Sequence, residues 1–149
     1  MKVERSTIIE APVERVWSVL RDFNGHDRWH PAVRESRIEG RASADRIGAV
    51  RRFKLRDGAE LREQLLALSD SEKSFSYCLL DTPIPLLNYV AHVLLLRVTD
   101  GEHTFWRWTS EFDAPGGQGE RLARMVGEDI YARGFEAIRK HIGAGSGAR

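Results

Sequence analysis

The sequence predicts an α+β fold: a seven-stranded curved antiparallel sheet wrapped around one long C-terminal helix, with two short helices after the first strand. Two patterns carry this. The middle of the chain is a series of alternating apolar and polar segments joined by short turn signals. The chain then closes on Gly119–Ile142, an amphipathic stretch of about six turns at 3.6 residues each. At 149 residues there is enough chain for one domain with a real core. We expect that domain to span residues 1–142, with 143–149 as a flexible tail.

Lys2–Glu10 is rich in β-branched residues and reads as a strand. Pro12 suits the first helical position, and Val13, Val16, Trp17 and Leu20 then recur at helical spacing. Asn24-Gly25 breaks that pattern. A short turn through Trp29-His30-Pro31 leads into a strand at Val33–Glu39, and His30, preceding a proline, is biased toward extended geometry.

Ala49–Leu55 and Ala59–Leu68 form a hairpin whose register can be argued. Their apolar faces meet only if the loop holds an odd number of residues. The turn Arg56-Asp57-Gly58, with glycine in the left-handed third position, satisfies this. Phe53 then faces Leu61 and Arg51 faces Glu63, all on one side. In Ser74–Leu80, Phe75, Tyr77 and Leu79 share a face opposite the serines and Cys78.

The loop 81–87 holds two prolines and three apolar residues, which either pack on the domain or form an apolar lip over a cavity. Asn88–Val98 and His103–Phe112 are joined by Asp100-Gly101. That turn sets Leu95 opposite Trp106, Val93 opposite Trp108, Ala91 opposite Ser110 and Tyr89 opposite Phe112.

On the closing helix, Val126, Ile130, Ala123, Gly127, Gly134, Ala137 and Ile138 share one arc at about 100° per residue. Glu120–Arg124, Asp129–Arg133 and Glu136–Lys140 are i,i+4 pairs on the other side, and Gly143 stands where a left-handed cap belongs. Gly127 and Gly134 each cost about 1 kcal/mol against alanine in a helix interior. Their presence suggests that room is needed beneath the helix.

A net charge of +1 gives no strong field for nucleic acid or a membrane surface. No long apolar run marks a membrane span or leader, and a single cysteine fits a reducing compartment, so the cytoplasm is expected. Five dispersed histidines and no paired cysteines give no metal site, and no cofactor motif is present.

The chemistry sits on the concave side. Arg51 and Glu63 lie there among Phe53, Leu61, Tyr77, Leu79, Trp106 and Trp108. Buried charges must pair or meet water or ligand. The two form a structural ion pair, anchor a ligand's polar group, or take part in catalysis. Burial would raise the Glu63 pKa and Arg51 would lower it. His30 is a structural hydrogen-bonder unless its ring turns inward. Tyr89 is a core aromatic or a ligand contact. Trp106 and Trp108 are core, or a platform for a planar ligand.

Several stretches in order, IEAPVERVW (Ile9–Trp17), DF…WHPAV (Asp22–Val33), GAVRRF (Gly48–Phe53), REQLLALSD (Arg62–Asp70), Asn88-Tyr89 and the final helix, carry a family resemblance. The chain resembles the helix-grip superfamily of START-domain and birch-pollen-allergen-like proteins (SRPBCC), and within it the polyketide cyclase/dehydrase-like bacterial branch. The resemblance covers residues 2–142 and implies a cavity between sheet and helix. The plant abscisic-acid receptors are more distant relatives of the same layout. By that resemblance His30 stands at a ligand-contacting lysine, and Glu63 and Tyr89 at pocket positions. Val126, Ile130 and Gly134 take the helix-side pocket positions. The receptors' gate and latch are absent: Arg56-Asp57-Gly58 and Pro83–Leu86 replace them. A receptor function is therefore not carried over.

Three functions compete. The first is a binding protein for a hydrophobic small molecule, such as a lipid, polyketide or polycyclic aromatic. The second is a cyclase/dehydratase-type enzyme using Glu63, His30 and Tyr89 for acid–base work and Arg51 to stabilise an enolate. The third is a protein-interaction module, or a homodimer, built on the outer sheet face around Leu66, Leu94, Leu96 and Phe105.

Overall fold

The computed structural model describes residues 1–147. In chain order it has β1 (Lys2–Ile9), α1 (Val13–Leu20), a 3-10 turn (His26–Arg28), β2 (Val33–Ile38), β3 (Val50–Leu55), β4 (Glu60–Ser69), β5 (Ser74–Asp81), β6 (Leu87–Val98) and β7 (His103–Asp113). A long helix, α2 (119–147), follows. The strands form one antiparallel sheet in the order β1-β7-β6-β5-β4-β3-β2, so β1 and β2 are its edges. Every neighbour from β2 to β7 is also a neighbour in sequence, which is the hairpin series the turn signals predict.

The registers follow from period 2 and turn length. Phe53 pairs with Leu61 and Arg51 with Glu63, and Gly58 takes φ 93° at the third loop position. Leu95 pairs with Trp106, Val93 with Trp108 and Ala91 with Ser110. Beyond Val90 the register shifts, because Asn88 adopts a left-handed φ of 56° and its amide donates to Asp113 Oδ2 at 2.9 Å. Tyr89 therefore leaves the expected ladder position opposite Phe112, yet stays buried against that ring at 6.0 Å between centroids.

α1 buries Val13, Val16, Trp17 and Leu20. Pro12 is its N-cap rather than its first helical residue. The indole of Trp17 donates to Asp70 Oδ1 at 2.8 Å, and the same oxygen takes a 2.8 Å bond from Arg21 Nε. These bonds fasten the helix to the β4–β5 end of the sheet.

α2 departs from the expected single regular helix. It is α-helical over Gly119–Arg124, π-helical over Met125–Ala132 and α-helical again over Arg133–Gly147. The reason lies in its apolar residues. At about 100° per residue on a regular α-helix, Leu122 and Val126 point about 120–180° away from Tyr131, Phe135, Ile138 and Ile142, with Val126 and Ile138 at the two ends of the expected arc. A wider winding over eight residues turns each less, removing roughly 100–150° in all. All six side chains are then buried.

Among the described residues Asp129 and Arg133 form no ion pair, and Glu136 pairs with Arg139 instead of Lys140. Arg139 also donates to Thr7 Oγ1 and, at 3.1 Å, to the carbonyl of Ile8, tying α2 to β1. Nor does the helix stop at Gly143, which has no positive φ; it continues to Gly147 through most of the expected tail. Residues 148 and 149 lie outside the described residues.

The two buried glycines of α2 do different things. A Cβ on Gly127 would sit 2.6 Å from the exposed, flexible guanidinium of Arg5. A Cβ on Gly134 would sit 2.9 Å from Cζ3 of Trp108. Gly134 therefore admits the indole to the helix backbone, and the expected empty space beneath it is filled by that ring. Gly127→Ala should raise stability by up to about 1 kcal/mol, because Arg5 can swing away. Gly134→Ala should lower it by about 1–3 kcal/mol, because the indole cannot. Thermal melts of the two variants beside the parent protein check this.

Candidate functional site

The interior between sheet and helix is solid at one end and hollow at the other. At the β1-β7-β6 end, Trp106 stacks on Trp108 at 5.5 Å, and Trp108 stacks on Tyr131 at 4.2 Å. Phe135 meets Trp106 edge-on at 4.6 Å. Toward β2–β5 lies a cavity of about 550 Å³. It separates the main core from a small cluster of Val33, Phe53 and Leu61, and partly buried Leu79 and Ile84 touch both.

Most of the sequence-predicted site residues meet in this wall. The sheet contributes Arg51, Phe53, Leu61, Glu63, Tyr77, Leu79, Tyr89 and Trp108, the turn before β2 contributes His30, and the helix contributes Ile130. Ile84 and Leu86 of the proline-bearing loop also line it, so that loop is an apolar lip. Three expected positions do not line it. Trp106 is fully buried beneath Trp108, Trp29 and Phe135. Val126 is fully buried in the main core. Gly134 is covered by Trp108. Straight-helix phasing put the last two on the cavity side. The π-helical segment instead brings Met125, Asp129 and Ile130 to the wall, with Arg133 just beyond.

The Arg51–Glu63 pair is buried, at 7% exposure for each residue. Arg51 donates from Nε at 2.9 Å and from Nη2 at 2.6 Å to the same oxygen, Glu63 Oε1, and from Nη1 to the carbonyl of Phe23 at 2.7 Å. Its guanidinium lies over the Phe23 ring at 4.0 Å. Among the described residues, nothing hydrogen-bonds the second Glu63 oxygen. Burial raises the Glu63 pKa above its ordinary value and outweighs the opposing pull of Arg51.

His30 is a strut. Its Nδ1 accepts from the backbone N–H of Ala32 at 3.2 Å, and its Nε2 lies 3.1 Å from the carbonyl oxygen of Ile130. An amide can only donate and a carbonyl can only accept, so the ring is neutral and protonated at Nε2. Burial lowers its pKa. The hydroxyls of Tyr89 and Tyr131 bond each other, and Tyr77 accepts from Trp108 Nε1 at 3.1 Å. Burial pushes all three phenols up, so they stay protonated.

His26 was missed by sequence reasoning. Its segment has no period to read, yet it sits four residues before His30 on the same turn, directly after Asn24-Gly25. Gly25 permits the fold-back, since a Cβ there would meet the Asp22 carboxylate at 2.8 Å. His26 is 7% exposed, lines the cavity and meets Phe53 edge-on at 4.6 Å. Neither ring nitrogen has a hydrogen-bond partner among the described residues. Burial first, then Arg51 and His30, hold its pKa well below the usual imidazole value.

Among the described residues no group of three or more His, Cys, Asp or Glu side chains comes together as a metal site. No described helix is long and apolar enough to cross a membrane. The outer face carries ion pairs: Glu39 holds Arg62 at 2.6 Å and Arg52 at 3.1 Å, which lowers the Glu39 pKa to about 2. Elsewhere on that face Ile8, Phe105 and Leu96 pair in one row across three strands.

Residues 1–143 match the model of a family described as polyketide cyclase/dehydrase and lipid transport, and the chain belongs to that family. A solution structure from Thermobifida fusca is 30% identical, with TM-score 0.85, over 96% of this chain and 93% of that one. An uncharacterised protein from Bacillus thuringiensis is 23% identical, with TM-score 0.83, over 95% and 98%. A norcoclaurine synthase from Thalictrum flavum, solved as a point mutant with a transition-state analogue, shares the fold at 12% identity and TM-score 0.75, over 98% and 96%. No curated protein matches the sequence.

Removing one partner of the buried pair should cost more than removing both. Arg51→Met leaves Glu63 uncompensated and should destabilise by about 3–5 kcal/mol, whereas Arg51→Met with Glu63→Leu should recover a large part of that. Urea unfolding of the two variants measures the difference. The histidines set a second expectation. The folded pKa values of His26 and His30 lie below the unfolded value of about 6.5. Their contribution is therefore complete above that pH and is lost as pH falls below it toward the folded values. Melting temperature should drop between pH 7 and pH 5, and less steeply in His26→Leu. The Glu39 contribution belongs to a separate, more acidic window, below its unfolded pKa of about 4.5.

Proposed function

We propose that this protein binds a hydrophobic small molecule, a lipid, polyketide or polycyclic aromatic, in the cavity between the sheet and α2. One observation carries the reading: an apolar-walled space of about 550 Å³ that divides the core in two. That volume is within the range of small-molecule sites, roughly 300–1,000 Å³. Phe53, Leu61, Leu79, Tyr77, Trp108 and Ile130 supply the apolar contact, with Arg51, Glu63, His30 and Tyr89 as polar neighbours. Membership of a family described by both cyclisation and lipid transport supports the ligand class.

The acid–base alternative draws less support. Of its four residues, His30 has both ring nitrogens engaged, Tyr89 is bonded to Tyr131, and Arg51 is held by Glu63 and the Phe23 carbonyl. The resemblance in fold to norcoclaurine synthase is compatible with either reading.

The test uses the neutral fluorescent probe N-phenyl-1-naphthylamine. It should brighten on addition to the protein and do so saturably. Leu79→Trp, placed in the cavity wall, should weaken uptake at least tenfold, while Leu66→Trp on the outer face should leave it unchanged. Equal uptake by Leu79→Trp, or no uptake by the parent protein, would remove the cavity from consideration.

A further inference from the structure

We propose that the cavity selects a neutral, hydroxyl-bearing apolar molecule, an alcohol or a phenol, through His26 and the free oxygen of Glu63. The inference rests on the cavity reading above and adds the chemical class of the polar group. His26 is more than nine-tenths buried and lines the cavity, and both its ring nitrogens lack a partner and are themselves fully buried, so a turn of the ring is what brings one of them to a ligand. An unmade hydrogen bond at a buried polar group is costly, so an empty-handed imidazole in a cavity wall favours any ligand group that completes it. A neutral imidazole presents one donor and one acceptor.

Glu63 presents an acceptor only. Arg51 takes up Oε1 with two bonds, and Oε2 has no partner among the described residues. A hydroxyl meets both requirements at once, since it accepts from the imidazole N–H while donating to Oε2. A carboxylate can donate to neither His26 nor Glu63.

The charge of the wall points the same way. Arg51 and Arg133 are cationic, while Asp57, Glu63 and Asp129 are anionic, which gives a net of −1 with neutral histidines. Asp57, Asp129 and Arg133 are exposed at the rim with a net charge of −1, so an anionic ligand meets net negative charge on entry and a carboxylate again at Glu63. An ammonium would gain at Glu63 but meets the Arg51 guanidinium on that same carboxylate. Only the neutral donor–acceptor group escapes both penalties.

The test is displacement of bound N-phenyl-1-naphthylamine at pH 7.5 by four compounds of one ring size: naphthalene, 2-naphthol, 2-naphthoate and 2-naphthylmethylammonium. 2-Naphthol should compete about tenfold better than naphthalene, the worth of one net hydrogen bond, and better than both charged analogues. His26→Leu and His26→Phe remove the orphaned nitrogens and should melt no lower than the parent protein. In them, 2-naphthol should lose its advantage, the ratio of its affinity to that of naphthalene falling from about ten to about one.

If 2-naphthoate competes as well as 2-naphthol, or the naphthol preference survives in whichever His26 variant folds, the hydroxyl proposal is overturned and the cavity reading stands. If the fluorescent probe binds but none of the four displaces it, the hydroxyl proposal is likewise overturned. Failure of the probe itself to bind overturns both.

Discussion

The helix must offer one continuous apolar face to a sheet that has only one concave side, and at α-helical pitch the arc its sequence supplies leaves out Tyr131, Phe135 and Ile142, three of its largest apolar side chains. Leu122 and Val126 begin the face; Tyr131, Phe135, Ile138 and Ile142 continue it almost half a turn away. The π-helical winding over Met125–Ala132 reconciles them. Everything else in the interior follows from that reconciliation. It brings Tyr131 down onto Trp108, places Phe135 against Trp106, and turns Met125, Asp129 and Ile130 toward the open end. Without it, either half of the helix would have to expose large apolar side chains.

The open end is held by polar groups that are almost all committed to structure. His30 braces the turn before β2 against the carbonyl of Ile130, and Arg51 bridges Glu63 and the Phe23 carbonyl. The phenols of Tyr89 and Tyr131 satisfy one another. Such a wall is rigid because each member is fixed by a neighbour, which favours selective binding over chemistry that must move protons. His26, the indole N–H of Trp29 and one oxygen of Glu63 stand apart as groups left unmatched.

The sequence was most readable where period and turn length leave one solution. The β3–β4 register follows from Phe53, Leu55, Leu61 and Leu65 together with Gly58, since any slip of one residue would turn Arg51 and Glu63 outward. The β6–β7 register is readable from Asp100-Gly101 as far as Val90, where the left-handed Asn88 breaks the alternation in a way no pattern announces. Val126 and Gly134 were misplaced because helical phasing assumes a constant pitch. His26 escaped notice because its importance comes from what fails to touch it, and a sequence does not record missing partners. Gly134 was recognised as a position that needs room, but which side chain claims that room depends on an indole arriving from β7.

That indole makes the boundary between the solid and hollow halves of the interior a single pair of residues. Trp108 has one edge against the backbone at Gly134 and also lines the cavity, so its ring is a partition rather than a floor. The capacity of the binding space is therefore not fixed by the strands or by the helix. A smaller residue at 108 would join the cavity to the space beneath Gly134 and lengthen it along the helix axis, while the seven-stranded frame stays as it is. Chains of this architecture can thus differ in the length of guest they admit through one side chain, without any change in how they fold.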